Sequence, residues 1–547
     1  MKKIFTKKTI LALLIGVVLI SFSFQSKFFE VAKQIEIYTT LFKELNMYYV
    51  NEINPAEVTT TALKNTLKTL DPYTNYYNEQ DVEAAKIRRE GEYGGIGASV
   101  RYSKKDITIT QISKGFSADK ANLKAGDVIV KINNQLLESL NREDISGLLL
   151  GVPGSSVSLE IIRQGKRIQK NLKREKIEIN PVPFYKMIDK EVGYIVLTRF
   201  NEKASSEVKK AFEKLKAAGA QKLILDLRNN PGGLLGESVK ISNFFLPKGK
   251  AIVTTRAKVK KWSNTYTSRN APIDLEIPIA VLINGSSASA SEIVTGALQD
   301  YDRAVIIGER SFGKGLVQRY RPLSYGTQLK VTISKYYTPS GRCIQELDYA
   351  NRDPKTGIVP KFSDGGINEF RTQNGRKVYD GGGIIPDVNT QDILIGETAK
   401  KLLGSTALFN YATKYYYQNK TIAQPGKYSF SEAEFKSFKN YLKLDTTFVT
   451  LQEASFKKAF SIVENEEKRS VNKSYSKIMN SLKERKISRI IKNKKKLKER
   501  LKELILERYY YENGVYQNKI TSDETILKAV AILKNNKKYQ ELLAPKE

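Results

Sequence analysis

The sequence predicts a multidomain α/β protein with a smaller β-rich domain and helical regions at both ends, and three observations predict it. Strand-like and helix-like patterns alternate from about residue 177 to 390, the order expected of helices layered on a mostly parallel sheet. Residues 89–176 break into short β-type runs separated by glycines. Residues 27–88 and 391–547 carry apolar residues at helical spacing. The chain has 547 residues, enough for about three to four domains at roughly 150 residues each.

Taken in order, residues 1–26 read as an export signal. Lys2, Lys3, Lys7 and Lys8 precede an apolar run from Ile10 to Ile20, and small and aromatic residues follow to Ser26. The run lacks an Ala-x-Ala cleavage site, so both a cleaved signal peptide and a retained signal anchor fit. Either sets the protein outside the cytoplasm, periplasmic or membrane-anchored. In residues 27–88, Phe29, Ala32, Ile35 and Leu41 begin one helical stripe. Val58, Leu63, Leu67 and Leu70 form a second, which Asp71-Pro72 stops, so a helical hairpin or cap is expected.

Within 89–176, Ile107–Ile109, Val128–Val130 and Val157–Ile161 have strand patterns, while 118–123 and 142–150 have helical spacing. From 177 to 390, the runs at 194–197, 222–227, 279–283 and 305–307 read as buried strands. Val208, Ala211, Phe212 and Leu215 mark one helix face among the segments between them. Past Asp387 the chain reads as helical and polar. Between Lys483 and Lys502, 11 of 20 residues are Lys or Arg, which fits a solvated helix face or a contact with an anionic membrane surface.

Composition excludes several chemistries. The sequence has no histidine, so a Ser-His-Asp or Cys-His triad and any His-ligated metal are excluded. Cys343 is the single cysteine, so neither an internal disulfide nor a multi-cysteine metal site can form. The net charge of +33 invites a nucleic-acid reading, but no zinc-knuckle, RNA-recognition or helix-turn-helix pattern accompanies it, and no specific nucleic acid is expected as a partner. Any catalysis must rest on Ser, Thr, Lys, Tyr or carboxylates.

Three constellations could carry such chemistry. Asp226-Leu227-Arg228-Asn229-Asn230-Pro231-Gly232-Gly233 lies between a buried-type strand and a helix opening at Leu234. Its glycines can present backbone N–H groups to an oxyanion, or simply make an ordinary strand-to-helix turn. Asn284 to Glu292 has the same setting, with Ser289 at a helix start. That serine can be an exposed nucleophile, or the N-cap of a capping box completed by Glu292. Gly313-Lys314-Gly315, followed by Gln318, offers a base for a hydroxyl where histidine is absent. A lysine in that role needs its pKa brought from about 10.4 to around 7–8 by desolvation.

In order and spacing the three motifs resemble the C-terminal processing peptidases, or tail-specific proteases, which are serine peptidases with a Ser-Lys dyad. The resemblance implies that Ser289 is the nucleophile, Lys314 the general base and Gln318 the residue that positions the lysine. It further implies an oxyanion hole formed by Gly232 or Gly233 with the amide of Ala290. It covers most of residues 40–390, including Leu70 to Thr74, Tyr336 to Arg342 and Gly383 to Asp387. The implied fold is a crotonase/ClpP-like protease core.

Residues 89–176 are similar to a PDZ domain, with Gly94, Gly95, Ile96 and Gly97 where that fold binds a terminal carboxylate. The implied partners are protein or peptide substrates with free C-termini, and no cofactor or metal is expected. A non-catalytic PDZ scaffold is the alternative function. A crotonase-type acyl-CoA enzyme shares the strand-turn-helix architecture, but no coenzyme A site accompanies it.

Overall fold

The computed structural model describes residues 7–103, 106–139, 142–362, 367–390, 395–463 and 465–545, with side chains from Phe28 onward except at 139, 142–144, 146, 465 and 466. The basic residues Lys2 and Lys3 of the expected export signal lie outside the described residues. The chain divides into two compact units, 1–76 and 77–547.

The first unit holds helix α1 (Lys7–Tyr48) and helix α2 (Pro55–Lys68). Pro55 opens α2, and the Asn54 carboxamide accepts the N–H groups of Ala56 and Glu57, so the start of this helix is set by its own cap. Among the described residues no helix is long and apolar enough to cross a membrane. The second helix stops ahead of Asp71-Pro72, as expected; the Asp71 carboxylate accepts the N–H groups of Tyr73 and Thr74, and strand β1 (Asn75–Tyr77) then interrupts the otherwise helical region. Helix resumes as α3 (Glu79–Glu90).

In the second unit, strands β2 (Glu92–Gly95), β3 (Ala98–Tyr102), β4 (Ile107–Ile112), β5 (Val128–Ile132), β6 (Gln135–Leu136), β7 (Ser156–Arg163), β8 (Lys166–Lys173) and β9 (Glu175–Glu178) build the β-rich domain. The order β3-β4-β5-β7-β8 makes one sheet, β6 pairs with β5, and β2 pairs with β9. Two helices accompany them, the single turn α4 (Ser117–Lys120) and α5 (Arg142–Leu149). The helical spacing over 118–123 thus yields one turn, stopped by Asn122 at φ 57°. Alternate residues of β4 and β7 point inward, and a register shift in β5 turns both Ile129 and Ile132 inward, so these two form its core with Ile107, Ile109, Leu159 and Ile161.

The α/β core follows. Strands β10 (Phe184–Met187), β11 (Val192–Val196) and β12 (Lys222–Asp226) enclose helix α6 (Ala204–Ala217) in the chain, and α7 (Leu235–Asn243) comes next. Strands β13 (Ala251–Ala257), β14 (Asn264–Thr267) and β15 (Ile279–Ile283) lead to helix α8 (Ala290–Asp300). Strands β16 (Ala304–Gly308), β17 (Leu316–Pro322), β18 (Gln328–Tyr337), β19 (Glu369–Arg371), β20 (Lys377–Tyr379) and β21 (Val388–Asn389) complete it. The main sheet has the order β10-β11-β12-β15-β16-β21, parallel except for the β10–β11 pair. A second sheet carries β18-β13-β14, with the long hairpin strand β17 on β18.

The strands of the main sheet read as unbroken apolar runs because both faces are covered. Residues of one parity, including Ile195, Leu223, Leu225, Val281 and Ile306, face α6, α7 and α8. Those of the other parity, including Tyr194, Ile224, Ala280, Leu282 and Val305, face the last helices of the chain. These are α15 (Glu524–Lys534) and α16 (Asn536–Leu543), preceded by α9 (Glu397–Leu403), α10 (Ala407–Gln418), α11 (Glu432–Leu444), α12 (Leu451–Ser461), α13 (Asn465–Ile491) and α14 (Lys494–Ser522).

Helices α9, α10, α11, α13 and α14 share their own core around Phe438, Ile490, Leu497, Leu501 and Ile505. The C-terminal region, read from the sequence as helical and polar, is helical and also packs on the main sheet. Its last two helices are the second layer of the main sheet. The Tyr539 hydroxyl even hydrogen-bonds the backbone of Ile279 inside β15.

Candidate active site

The three sequence constellations follow three adjacent parallel strands. Asp226 ends β12, Asn284 follows β15 and Glu309 follows β16, so the topology delivers all three to the carboxyl edge of one sheet. That edge is where open α/β sheets place their ligands.

Ser289 sits between β15 and α8 at φ 58° and ψ −112°. A capping serine has extended dihedrals, so this residue is not an ordinary N-cap. Such a conformation is costly for a non-glycine residue and persists only where its surroundings impose it, as in a nucleophile elbow. Several contacts impose it here. The Ala288 N–H and the Ser291 hydroxyl donate to the carbonyl of Asn230, at 3.0 and 2.9 Å. The hydroxyl of the buried Tyr336 donates to the carbonyl of Ser289 at 3.1 Å. Small residues on both sides let these loops close: Ala288, Ala290 and Ser291 are buried.

Glu292 is fully buried and ties the two halves of the site together. One oxygen accepts the Ser289 N–H at 2.7 Å and the Lys314 N–H at 3.0 Å. The other accepts the Ser311 hydroxyl at 2.6 Å and the Gly313 N–H at 2.7 Å. Burial pushes its carboxyl above the usual range, against the pull of these four donors. The capping-box pattern pointed to the Ser289–Glu292 bond alone. The three bonds to the lysine loop had no local signal, because those partners lie 19 to 22 residues further on.

Lys314 is half-buried in that loop. Gly313, at φ 83°, would place a Cβ 2.8 Å from the Glu346 side chain, and the Gly315 N–H donates to Gln345 at 2.8 Å. Gln318 stands four residues on, in β17 at a register shift, with its amide nitrogen 3.2 Å from the Thr332 hydroxyl.

The turn after β12 approaches Ser289 closely. A Cβ on Gly232 would lie 2.7 Å from the carbonyl oxygen of Ala288 and 2.9 Å from both the amide nitrogen of Ala290 and the Ser289 Cβ. Gly233 packs as tightly on the backbone of Phe200. The Gly232 N–H donates to the Asn230 side chain at 2.9 Å, which leaves Gly233 and Ala290 as the better placed pair of donors for a substrate oxygen. The start of α8 adds its positive end to the same spot.

Beneath the turn, Asp226 accepts the hydroxyl of fully buried Tyr194 at 2.7 Å and three bonds from Arg228 side-chain nitrogens at 2.7–3.1 Å. Neither Asp226 nor Arg228 was singled out from the sequence as more than part of the turn.

The four residues expected to bind a terminal carboxylate are placed as follows. Gly94 and Gly95 lie in β2, paired with Lys176 and Glu175. Ile96 is in the domain core at 4% exposure, and Gly97 turns at φ 75° against Phe116 into β3. Among the described residues no group of His, Cys, Asp or Glu side chains is arranged to hold a metal ion.

A serine on a strained turn, a lysine loop tied to it through Glu292 and a glycine turn packed against the serine meet at this edge of the sheet. Residues 191–358 match peptidase family S41, residues 85–162 match the PDZ domain, and residues 398–533 match the C-terminal helical domain of probable PDZ-proteases. The chain thus carries a peptidase family S41 domain together with a PDZ domain and the helical C-terminal domain of probable PDZ-proteases.

A probable CtpA-like serine protease of Staphylococcus aureus (strain MRSA252) is 35% identical over 309 residues, 56% of this chain and 61% of the relative. One from Staphylococcus saprophyticus is 34% identical over 316 residues, 58% of this chain and 63% of the relative. The match therefore spans about three-fifths of the length of these relatives. Among solved structures, the photosystem II D1 C-terminal processing protease is 29% identical, covering 59% of this chain and 85% of its own, at a TM-score of 0.35.

Proposed function

We propose that this protein is an exported serine endopeptidase that recognises the C-terminal tails of protein substrates through its PDZ domain and cleaves them by a Ser289–Lys314 dyad. The observation that carries the proposal is the strained Ser289 turn whose backbone shares one carboxylate with the Lys314 loop. In the first step Lys314 takes the Ser289 hydroxyl proton as the oxygen attacks the scissile carbonyl. The developing oxyanion is received by the Gly233 and Ala290 N–H groups. Collapse breaks the C–N bond, the leaving amine takes the proton from Lys314, and an acyl ester remains on Ser289. Water then attacks the ester, giving its proton to Lys314. The ester bond breaks, the new C-terminal carboxylic acid leaves, and Ser289 recovers its proton.

Gln318 orients the lysine in this account. Export rests on the basic residues and the apolar run Ile10–Ile20. An acylating serine-directed probe tests the dyad: wild type should carry one adduct, mapped by peptide mass to Ser289, and Lys314→Ala should acquire it at least a hundredfold more slowly. Labelling elsewhere, or at an equal rate in the variant, would overturn the assignment.

A further inference from the structure

The C-terminal helical domain reaches the turn after β12 through Asp523. Asp523 links α14 to α15, and both of its carboxylate oxygens accept Nη1 of Arg228 at 2.9 Å. One of them also accepts the Ile526 N–H at 3.0 Å, so the same group caps α15. The other nitrogens of Arg228 are held by Asp226, and the Arg228 N–H also donates to Asp226 at 2.9 Å. Arg228 is thereby clamped between the end of β12 and the start of α15, with a side chain 14% exposed.

The clamp matters because of what lies next in the chain. Asn229 follows at φ 60°, its N–H on the side chain of Asn284, and the Asn284 amide returns a bond to Asn229. Asn230 then receives the Ala288 N–H and the Ser291 hydroxyl through its carbonyl, and the Gly232 N–H through its side chain. Each link from Asp523 to the glycines beside Ser289 is a hydrogen bond of 2.9–3.0 Å or a covalent step.

We propose that Asp523 is a positioning residue of the reaction, holding Arg228 and hence the 226–233 turn so that its amides face the tetrahedral oxygen formed at Ser289. The kinetic part of this proposal rests on the peptidase reading; the structural part does not. With Asp226 on the Nε and Nη2 fork and Asp523 on the remaining Nη1, all of them charge-assisted bonds, the guanidinium is fixed in direction as well as distance. The rest of the C-terminal domain need touch nothing in the site to affect it.

The test uses the full chain with Asp523→Asn, which keeps an acceptor for Ile526, and Arg228→Lys, which keeps the charge but not the fork. Lys534→Met, which removes a different tie between α15 and the core at Asp189, is the control. Hydrogen exchange of the 227–234 amides should rise about tenfold in both clamp variants, and kcat on a peptide substrate should fall about tenfold with KM unchanged. Lys534→Met should match wild type. Unchanged exchange at 227–234 in a folded Asp523→Asn protein, or a change confined to KM, would overturn the proposal. Wild-type protein without cleavage would instead contradict the peptidase reading, and the exchange arm would still decide the clamp.

Discussion

Ser289 and Lys314, 25 positions apart in the chain, donate their backbone N–H groups to one oxygen, Oε2 of Glu292, at 2.7 and 3.0 Å. A buried acceptor shared this way makes the two loops move as one. In the proposed dyad, the backbones that carry Ser289 and Lys314 are thereby held to one anchor.

Glu292→Gln should damage both loops. The amide brings N–H groups against existing donors, and each buried donor left without an acceptor costs about 1–3 kcal/mol. The expected outcome is a melting temperature several degrees lower and at least a tenfold loss of kcat in the remaining folded protein. Calorimetry and steady-state kinetics on one preparation check it.

Gly232→Ala should abolish turnover while sparing the fold around the PDZ domain. Its Cβ would stand 2.9 Å from the Ala290 amide that a substrate oxygen needs, and the backbone there is at φ 96°. A loss of about a hundredfold or more in kcat is expected from blocking one oxyanion donor. Single-turnover acylation measures it.

The Arg228–Asp523 clamp should show in acid stability. Burial works to raise the Asp523 carboxyl, but Arg228, the Ile526 N–H and Lys519 outweigh it and hold the group below the usual carboxylate range. A group with a folded pKa below its unfolded value stabilises the fold above the unfolded pKa, about 3.9, and loses that contribution as pH falls through the folded value. The stability gap between wild type and Asp523→Asn should therefore be full at pH 6 and close as pH drops below about 4. Denaturant titrations across pH 2.5–7 check the sign.

Tail recognition by the PDZ domain predicts faster cleavage of peptides with a free apolar C-terminus than of the same peptides amidated, since loop amides lose their charged acceptor. Comparing kcat/KM at low substrate measures it. Substitution of Ile96 is a poor probe of this, because the residue sits in the domain core.

Much of the core was legible because its strands are buried on two faces and read as plain apolar runs, as at 279–283 and 305–307. The three motifs were legible because glycine, serine and lysine cluster where strands end. What was hidden depends on partners far apart in the chain. Nothing around Asp523 marks it as the partner of Arg228, 295 residues away. The apolar stripe of α15, with Ile526, Ala529, Ile532 and Leu533, announces a buried face but not which sheet it covers. Likewise, glycine at 94 and 95 signals close backbone approach without telling a paired strand from an open loop.

The most direct test of the central claim is proteolysis of an unfolded protein by purified wild type, Ser289→Ala and Lys314→Ala, followed by mass spectrometry of the fragments. Wild type should release fragments with new C-termini, and each variant, with an unchanged melting temperature, should release none above background, because nucleophile and base act as one unit. Fragments formed by Ser289→Ala or Lys314→Ala at the wild-type rate would contradict the dyad and, with it, the account of the site.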